Sequence, residues 1–213
     1  MGQLTQNSID LDTAIAMANA LPDAGDIHDL EDALLERDTV IDITNHRITR
    51  IGPSVFRDCS IIQSFVGDNI VTLEERAFYT CARLTTVSFP KATLLRDYAM
   101  YGCKVLVNVY LPLTETVRGS AFQGDVKLSK LDFPSLTTIY GQHVFQNTNL
   151  KTLILRAPTV VTLGNTNSFM TTPVAEGTGY VYVPADLVES YKTATNWSTY
   201  ANQIRSIDEL EGA

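Results

Sequence analysis

TLEERAFYTCARLTTVSFP, residues 72–90, decides the fold. In its second half, LTTVSFP (84–90), Val87 and Phe89 alternate with Thr86 and Ser88. A period of two marks a half-buried strand, because successive side chains of an extended chain point to opposite faces. Pro90 ends that strand where no ladder donor is needed. In the first half, Leu73, Ala77, Phe78 and Cys81 are the regular apolar points, which predicts a short extended piece and then a tight turn.

The pattern recurs in both directions along the chain. Ile51, Leu73, Leu95, Val117 and Ile139 are 22 residues apart, as are Phe56, Phe78, Met100 and Phe122. Ile62, Leu84, Leu106, Leu128 and Leu150 keep the same period. So do Phe65, Val87, Val109, Leu131 and Leu153, with Phe89, Leu111, Phe133 and Leu155 two residues further on. A fixed period of this length is the signature of a solenoid. One repeat cannot bury its apolar face alone, so the units must stack, each completing its neighbour's strand hydrogen bonds. Twenty-two residues cannot hold a strand and a long helix. The expected fold is therefore a leucine-rich-repeat solenoid, mainly β with short parallel strands, and with turns and short strands on the convex side.

The repeat blurs at both ends. Val40 and Ile43 fall in phase with Ile62 and Phe65, which predicts a first strand in VIDI (40–43). TLGNTNSF (162–169) resembles a convex half, and YVYVP (180–184) repeats the strand-plus-proline ending with Val181 and Val183 inward. In the fifth repeat the turn aromatic is shifted by one, to Phe145. Open sheet ends invite edge-to-edge association unless covered. Leu11, Ala14, Ile15, Ala18 and Leu21 predict one N-terminal helix, and Leu30, Ala33, Leu34 and Leu35 a second. PADLVESYKTATNW (184–197) predicts a C-terminal helix with Leu187, Val188 and Tyr191 on one face, and Trp197 sealing the last repeat. The expected organisation is an acidic helical N-terminal cap (1–39), the solenoid (40–184) and a C-terminal helical cap (185–213).

Charge narrows the partners. Residues 1–40 hold nine acids and one base, whereas the remaining 173 residues hold 15 of each. A neutral body is a poor match for phosphate backbones, so no nucleic-acid partner is expected. No apolar run approaches the ~18 residues of a membrane span, so membrane insertion is not expected either. MGQLTQNSIDLD is polar and acidic, unlike a secretory signal. The expectation is an extracellular or cell-surface protein if a leader precedes this sequence, and otherwise a cytoplasmic or phage-particle one.

Chemistry is hard to find. His28, His46 and His143 lie in three different regions, without acids or cysteines at ligand spacing. No GxSxG, HExxH, phosphate loop or GxGxxG is present. Cys59, Cys81 and Cys103 stack in one column, with Asp125 next and Thr148 close to the same phase. A column that tolerates non-thiols reads as small buried side chains, not as a disulfide or metal site. No enzyme activity, cofactor or metal is expected.

Alternation leaves two columns on the exposed sheet face. One is Ser64, Thr86, Asn108, Lys130 and Thr152, and the other is Val66, Ser88, Tyr110, Asp132 and Ile154. Asn108, Tyr110, Lys130 and Asp132 would form one patch with an aromatic ring, both charges and an amide, a mixture suited to a sugar or a peptide.

The repeat reads roughly T-x-I-G-x-x-A-F-x-x-C-x-x-L-x-x-V-x-F-P, as in TRIGPSVFRDCSIIQSF (49–65) and TVRGSAFQGDVKLSKLDFP (116–134). It closely resembles the BspA-like leucine-rich-repeat family, common in surface proteins of anaerobic oral and gut bacteria. The tail over residues 150–204 is similar to the ending of a subgroup from gut Firmicutes and their phages. The resemblance covers about residues 40–204 and implies a scaffold for adhesion or ligand capture, with no catalytic residues to carry over. The expected function is a non-catalytic recognition module binding a protein or glycan through the sheet face or rim loops. The alternative is a structural accessory component of a phage or prophage tail, docking through residues 1–39.

Overall fold

Each unit of the repeat folds into one longer and one shorter strand joined by turns, and the units stack in register. The structure is a computed structural model that describes residues 8–9 and 40–212. The N-terminal helices expected around Leu11–Leu21 and Leu30–Leu35 lie outside the described residues.

The longer strands make the front of the molecule. β1 (Ser8–Ile9), β2 (Val40–Asn45), β4 (Ile62–Gly67), β6 (Thr86–Ser88) and β8 (Asn108–Tyr110) form one parallel sheet. β10 (Lys130–Phe133), β12 (Thr152–Leu155), β14 (Tyr180–Val183) and β15 (Ile204–Ser206) form a second. The two-residue strands β3 (Arg50–Ile51), β5 (Thr72–Leu73), β7 (Leu94–Leu95), β9 (Thr116–Val117), β11 (Thr138–Ile139) and β13 (Thr162–Leu163) form a back sheet that runs unbroken through six repeats.

Register follows the sequence columns. Phe65 pairs with Val87 and Val87 with Val109. Leu131 pairs with Leu153 and Leu153 with Val181. At the first strand the structure departs from the constant period. Ile41, not Val40, pairs with Ile62, and an irregularity between Ile41 and Asp42 restores phase at Ile43 and Phe65.

A third ladder runs through the turns between front and back. Each turn holds two left-handed residues four positions apart, such as Arg76 (φ 58°) with Thr80 (φ 55°) and Ser120 (φ 56°) with Gly124 (φ 83°). A side chain in this conformation costs roughly 1–2 kcal/mol. The conformation persists because it aims backbone donors at the next turn. Arg76, Phe78 and Thr80 donate to the carbonyls of Asp97, Ala99 and Tyr101 at 2.7–3.1 Å. These inter-turn bonds continue to Ser120, Phe122 and Gly124, which donate to Gln142, Val144 and Gln146.

Leu73, Ala77, Phe78 and Cys81 are fully buried, as are Leu95, Ala99, Met100 and Cys103 one repeat on, whereas Val55, in phase with Ala77 in the first turn, is exposed. Phe145, the shifted aromatic of the fifth repeat, stacks between Phe122 and Phe169 with ring centroids 5.9 and 5.3 Å away. The three cysteines carry no disulfide. The Sγ atoms of Cys81 and Cys103 donate to the carbonyls of Phe56 and Phe78 at 3.0 and 3.1 Å.

The C-terminal end is not the single helix expected over residues 184–197. A 3-10 turn (Ala185–Leu187) leads into the short helix α1 (Val188–Thr193). Extended backbone at Ala194 ends it, and Asn196, at φ 64°, leads into a second 3-10 stretch (Trp197–Gln203). The chain then adds β15 beside β14, and α2 (Ile207–Glu211) follows behind a Ser206–Glu209 capping box. This segment closes both sheets. β15 covers the front edge. At the back, Tyr191 Oη accepts from the Val161 N–H at 3.0 Å, and Trp197 Nε1 donates to the Val161 carbonyl at 2.6 Å. Asn196 Nδ2 donates to the Leu163 carbonyl at 2.7 Å. Side chains thus replace the ladder that a further repeat would supply.

Candidate functional site: a split in the front sheet

Alternation along the strands brings Asn108, Tyr110, Lys130 and Asp132 to one surface. All four line a single cleft of about 410 Å³, together with Thr86, Ser88 and the backbone around them. Asn108 and Lys130 are exposed, Asp132 is half-buried, and Tyr110 is 58% exposed, making no ring contact. One member of the expected exposed columns is elsewhere: Ile154 is 1% exposed. It sits in register between Asp132 and Tyr182. Arg156, two residues on, reaches back to Asp132.

The cleft exists because the front ladder stops there. β6 and β8 are paired, and so are β10 and β12, but among the described residues no backbone hydrogen bond joins β8 to β10. The back strands of the same two repeats stay paired, Thr116 with Thr138 and Val117 with Ile139. The turn ladder holds too. The opening is therefore confined to the front face. Val109, in the middle of the gap, is only half-buried, whereas its column neighbours Val87 and Leu131 are each 1% exposed.

Ladder geometry says which groups face the gap. The Asn108 N–H donates to Thr85, and the Tyr110 carbonyl accepts from Phe89, so these residues spend their amides on β6. The Val107 N–H also donates to Thr85, so on this edge both amide groups of the intervening Val109, with the Val107 carbonyl and the Leu111 N–H, are directed the other way. On the far side the Thr152 N–H donates to Ser129 and the Arg156 N–H to Phe133, so Lys130 and Asp132 turn their amides toward β8. In a parallel pair these groups would bond one another. Here the carbonyls of Val107 and Val109, the N–H groups of Val109 and Leu111, and both amide groups of Lys130 and Asp132 are left without a ladder partner.

The side chains add a positive bias. The Asp132 carboxylate is held by Arg156, with Nε to Oδ1 at 3.1 Å and Nη2 to Oδ2 at 3.1 Å. Lys130 has no carboxylate partner among the described residues. Asn108 Nδ2 donates to Thr86 Oγ1 at 3.2 Å, which leaves its Oδ1 facing out. The arrangement offers one cation, one phenol, an amide oxygen and two facing rows of backbone donors and acceptors. It offers no nucleophile with a base beside it. His46 Nδ1 lies 2.6 Å from Asp68 on an exposed rim, far along the stack from the cleft, and His143 occupies a left-handed turn position. Among the described residues no three His, Cys, Asp or Glu side chains are grouped to hold a metal. Among them no helix is long and apolar enough to cross a membrane.

Sequence alternation finds the four side chains but not the split. The period of 22 runs through Asn108–Lys130 and Tyr110–Asp132 without a change, so no signal in the sequence announces the missing ladder.

Comparison with known proteins gives the lineage. A leucine-rich repeat protein from Bacteroides ovatus ATCC 8483 is similar at 19% identity and TM-score 0.44, over 54% of this chain and 29% of that one. The T. pallidum leucine rich repeat protein TpLRR is similar at 24% identity and TM-score 0.48, over 57% of this chain and 58% of that one. The pneumococcal vaccine antigen PcpA is similar at 16% identity and TM-score 0.47, over 78% of this chain and 50% of that one. This chain therefore matches less than two thirds of the length of each. No curated protein matches it. The family model of the BspA type leucine rich repeat region matches six times between residues 43 and 173, and with more than half of its length so accounted for, the chain belongs to that family.

Proposed function

We propose that this protein is a non-catalytic recognition module that holds a protein or glycan ligand on its front sheet face. The observation that carries the reading is the cleft at the split, where Asn108, Tyr110, Lys130 and Asp132 meet on a face that is otherwise paired. A concave site with a few convergent polar groups and one large exposed aromatic is the usual form of a ligand site, and its volume lies in the usual range of ~300–1,000 Å³. Membership of a repeat family that builds extended binding surfaces supports the same reading.

The test is binding of fluorescently labelled protein to a panel of intact gut-type bacteria, mucins and matrix proteins. A variant with Ala at Asn108, Tyr110, Lys130 and Asp132 runs beside it. Saturable binding that the variant loses supports a module with its site on the sheet face. Binding kept by the variant moves the site to the rim or the ends. Absence of saturable binding across the panel overturns the recognition reading.

A further inference from the structure

We infer that the split between β8 and β10 is an acceptor for an extended peptide segment of a partner protein, one that carries an acidic side chain. The inference rests on the recognition reading above and names the ligand class for that site. Its ground is the row of backbone groups that the split leaves open. The Val107 carbonyl, the Val109 N–H and carbonyl and the Leu111 N–H alternate on one edge, and the N–H and carbonyl groups of Lys130 and Asp132 on the other. A sugar ring could meet one or two of them with its hydroxyls. Only another extended backbone presents donors and acceptors at the matching spacing along the whole row. The two edges belong to one molecule and are fixed relative to each other by the unbroken back and turn ladders. An incoming strand thus meets a preorganised slot, which keeps the ordering cost of binding low.

Charge selects within that class. Arg156 already neutralises Asp132, so the cation left at the slot is Lys130. An acidic side chain on the alternating face of the incoming strand pairs with it. Tyr110 stands beside the slot with its ring exposed, ready to cover the next side chain along the same face.

Two experiments test this on the full chain. The first needs no ligand. Amide hydrogen exchange read residue by residue is expected to show Val109, Leu111, Lys130 and Asp132 exchanging at least about 100-fold faster than the paired amides of Phe89, Asn108 and Thr152, since an unpaired N–H open to water lacks protection. Equal protection would mean that the ladder is closed in solution, and the inference fails. The second selects binders from a displayed library of random ten-residue peptides. Recovered peptides are expected to carry an acidic residue, to protect those four amides, and to lose binding when alternate peptide amides are N-methylated. Lys130→Gln should weaken them about tenfold, by removing the charge alone. Lys130→Pro also removes a donor aimed into the slot and should abolish binding, yet its urea midpoint should match that of Lys130→Gln, because that N–H has no partner to lose.

Peptides that bind without protecting the four amides, or a library that yields no binder, overturn the strand inference. The panel measurement decides the recognition reading separately: glycan binding there, lost in the four-residue variant, would leave that reading standing with the wrong ligand class removed.

Discussion

Asp125 should be destabilising, and replacing it with cysteine should strengthen the fold by an amount that depends on pH. Its side chain is fully buried in the column of Cys59, Cys81 and Cys103, and neither carboxyl oxygen makes a hydrogen bond. Burial pushes its pKa well above the usual carboxylate range, and the neighbouring Cys103 adds to the rise. The nearby backbone of Cys103 and Gly102 pulls weakly the other way, from outside hydrogen-bond geometry. Two consequences follow. A buried acceptor without a partner costs about 1–3 kcal/mol whatever the pH. In addition, the unfolded carboxyl ionises above about pH 4 while the folded one stays protonated. The folded state then binds one more proton than the unfolded, so stability falls as pH rises, by up to about 1.4 kcal/mol per pH unit, until the folded group ionises. A cysteine at 125 has neither liability. By analogy with Cys81 and Cys103, whose thiols reach the carbonyls of Phe56 and Phe78, it would reach Met100. The expected gain for Asp125→Cys is about 1–3 kcal/mol near pH 4.5, from the partnerless acceptor, and larger near neutral pH, where the linkage contribution is added. Urea unfolding at the two pH values measures it through the midpoint at constant slope. A gain that is equal at both pH values would refute the linkage argument. A loss would show that the carboxylate is held by bonds that stabilise it.

Four further substitutions test the architecture, all read by urea unfolding. Phe78→Ala empties a fully buried aromatic column that packs on Phe56 and Phe65, and should cost about 3–5 kcal/mol. Thr86→Ala, on the outer face of β6, should stay within roughly 0.5 kcal/mol. Equal costs would mean that inward and outward are misassigned. Trp197→Phe keeps most of the buried ring area but strips the donor from the Val161 carbonyl, so it should cost about 1–2 kcal/mol. A neutral result there would mean that the cap seals by packing alone. Gly179→Ala should cost about 1–3 kcal/mol, since its Cβ would stand 2.9 Å from the Val174 nitrogen and 3.0 Å from the Leu150 carbonyl, both backbone atoms that cannot step aside.

The period of 22 made most of the fold legible because a solenoid repeats one local problem. Val87 and Phe89 point inward in β6 for the same reason that Val181 and Val183 do in β14. What stayed hidden is what breaks translational sameness. The irregularity beside Ile41 arises in β2, which has a regular repeat on one side only and the two-residue β1 on the other. The helix expected over 184–197 ends at Thr193 because Tyr191 and Trp197 must both serve the amide and carbonyl of Val161, a demand set by the sheet edge and not by helical spacing. Ile154 reads as outward by alternation, yet it is buried in register between Asp132 and Tyr182. The four cleft side chains were visible because direction is local. The split between them was not, because a missing backbone bond leaves no mark on side-chain periodicity.

The weak junction and the proposed ligand site coincide, and the physics gives a reason. In a solenoid, stability is roughly a sum over repeats and the interfaces between neighbours. The interface between the repeats of β8 and β10 lacks its front ladder, and its buried column carries Asp125 below Cys103. It retains the back strands and the turn bonds, enough to hold the two halves in register. Opening only the front costs little, because each lost ladder bond is exchanged for bonds to water at a net of about 1 kcal/mol. The same groups repay more when a ligand backbone replaces that water inside a cleft walled by Val107, Val109 and Tyr110. Ligand occupancy should therefore stabilise this one interface preferentially, so that the Asp125→Cys variant, already relieved there, gains less in unfolding midpoint from a bound peptide only if the front and the turn column open together. Equal ligand gains in the two proteins would mean that the front opens independently of the core behind it.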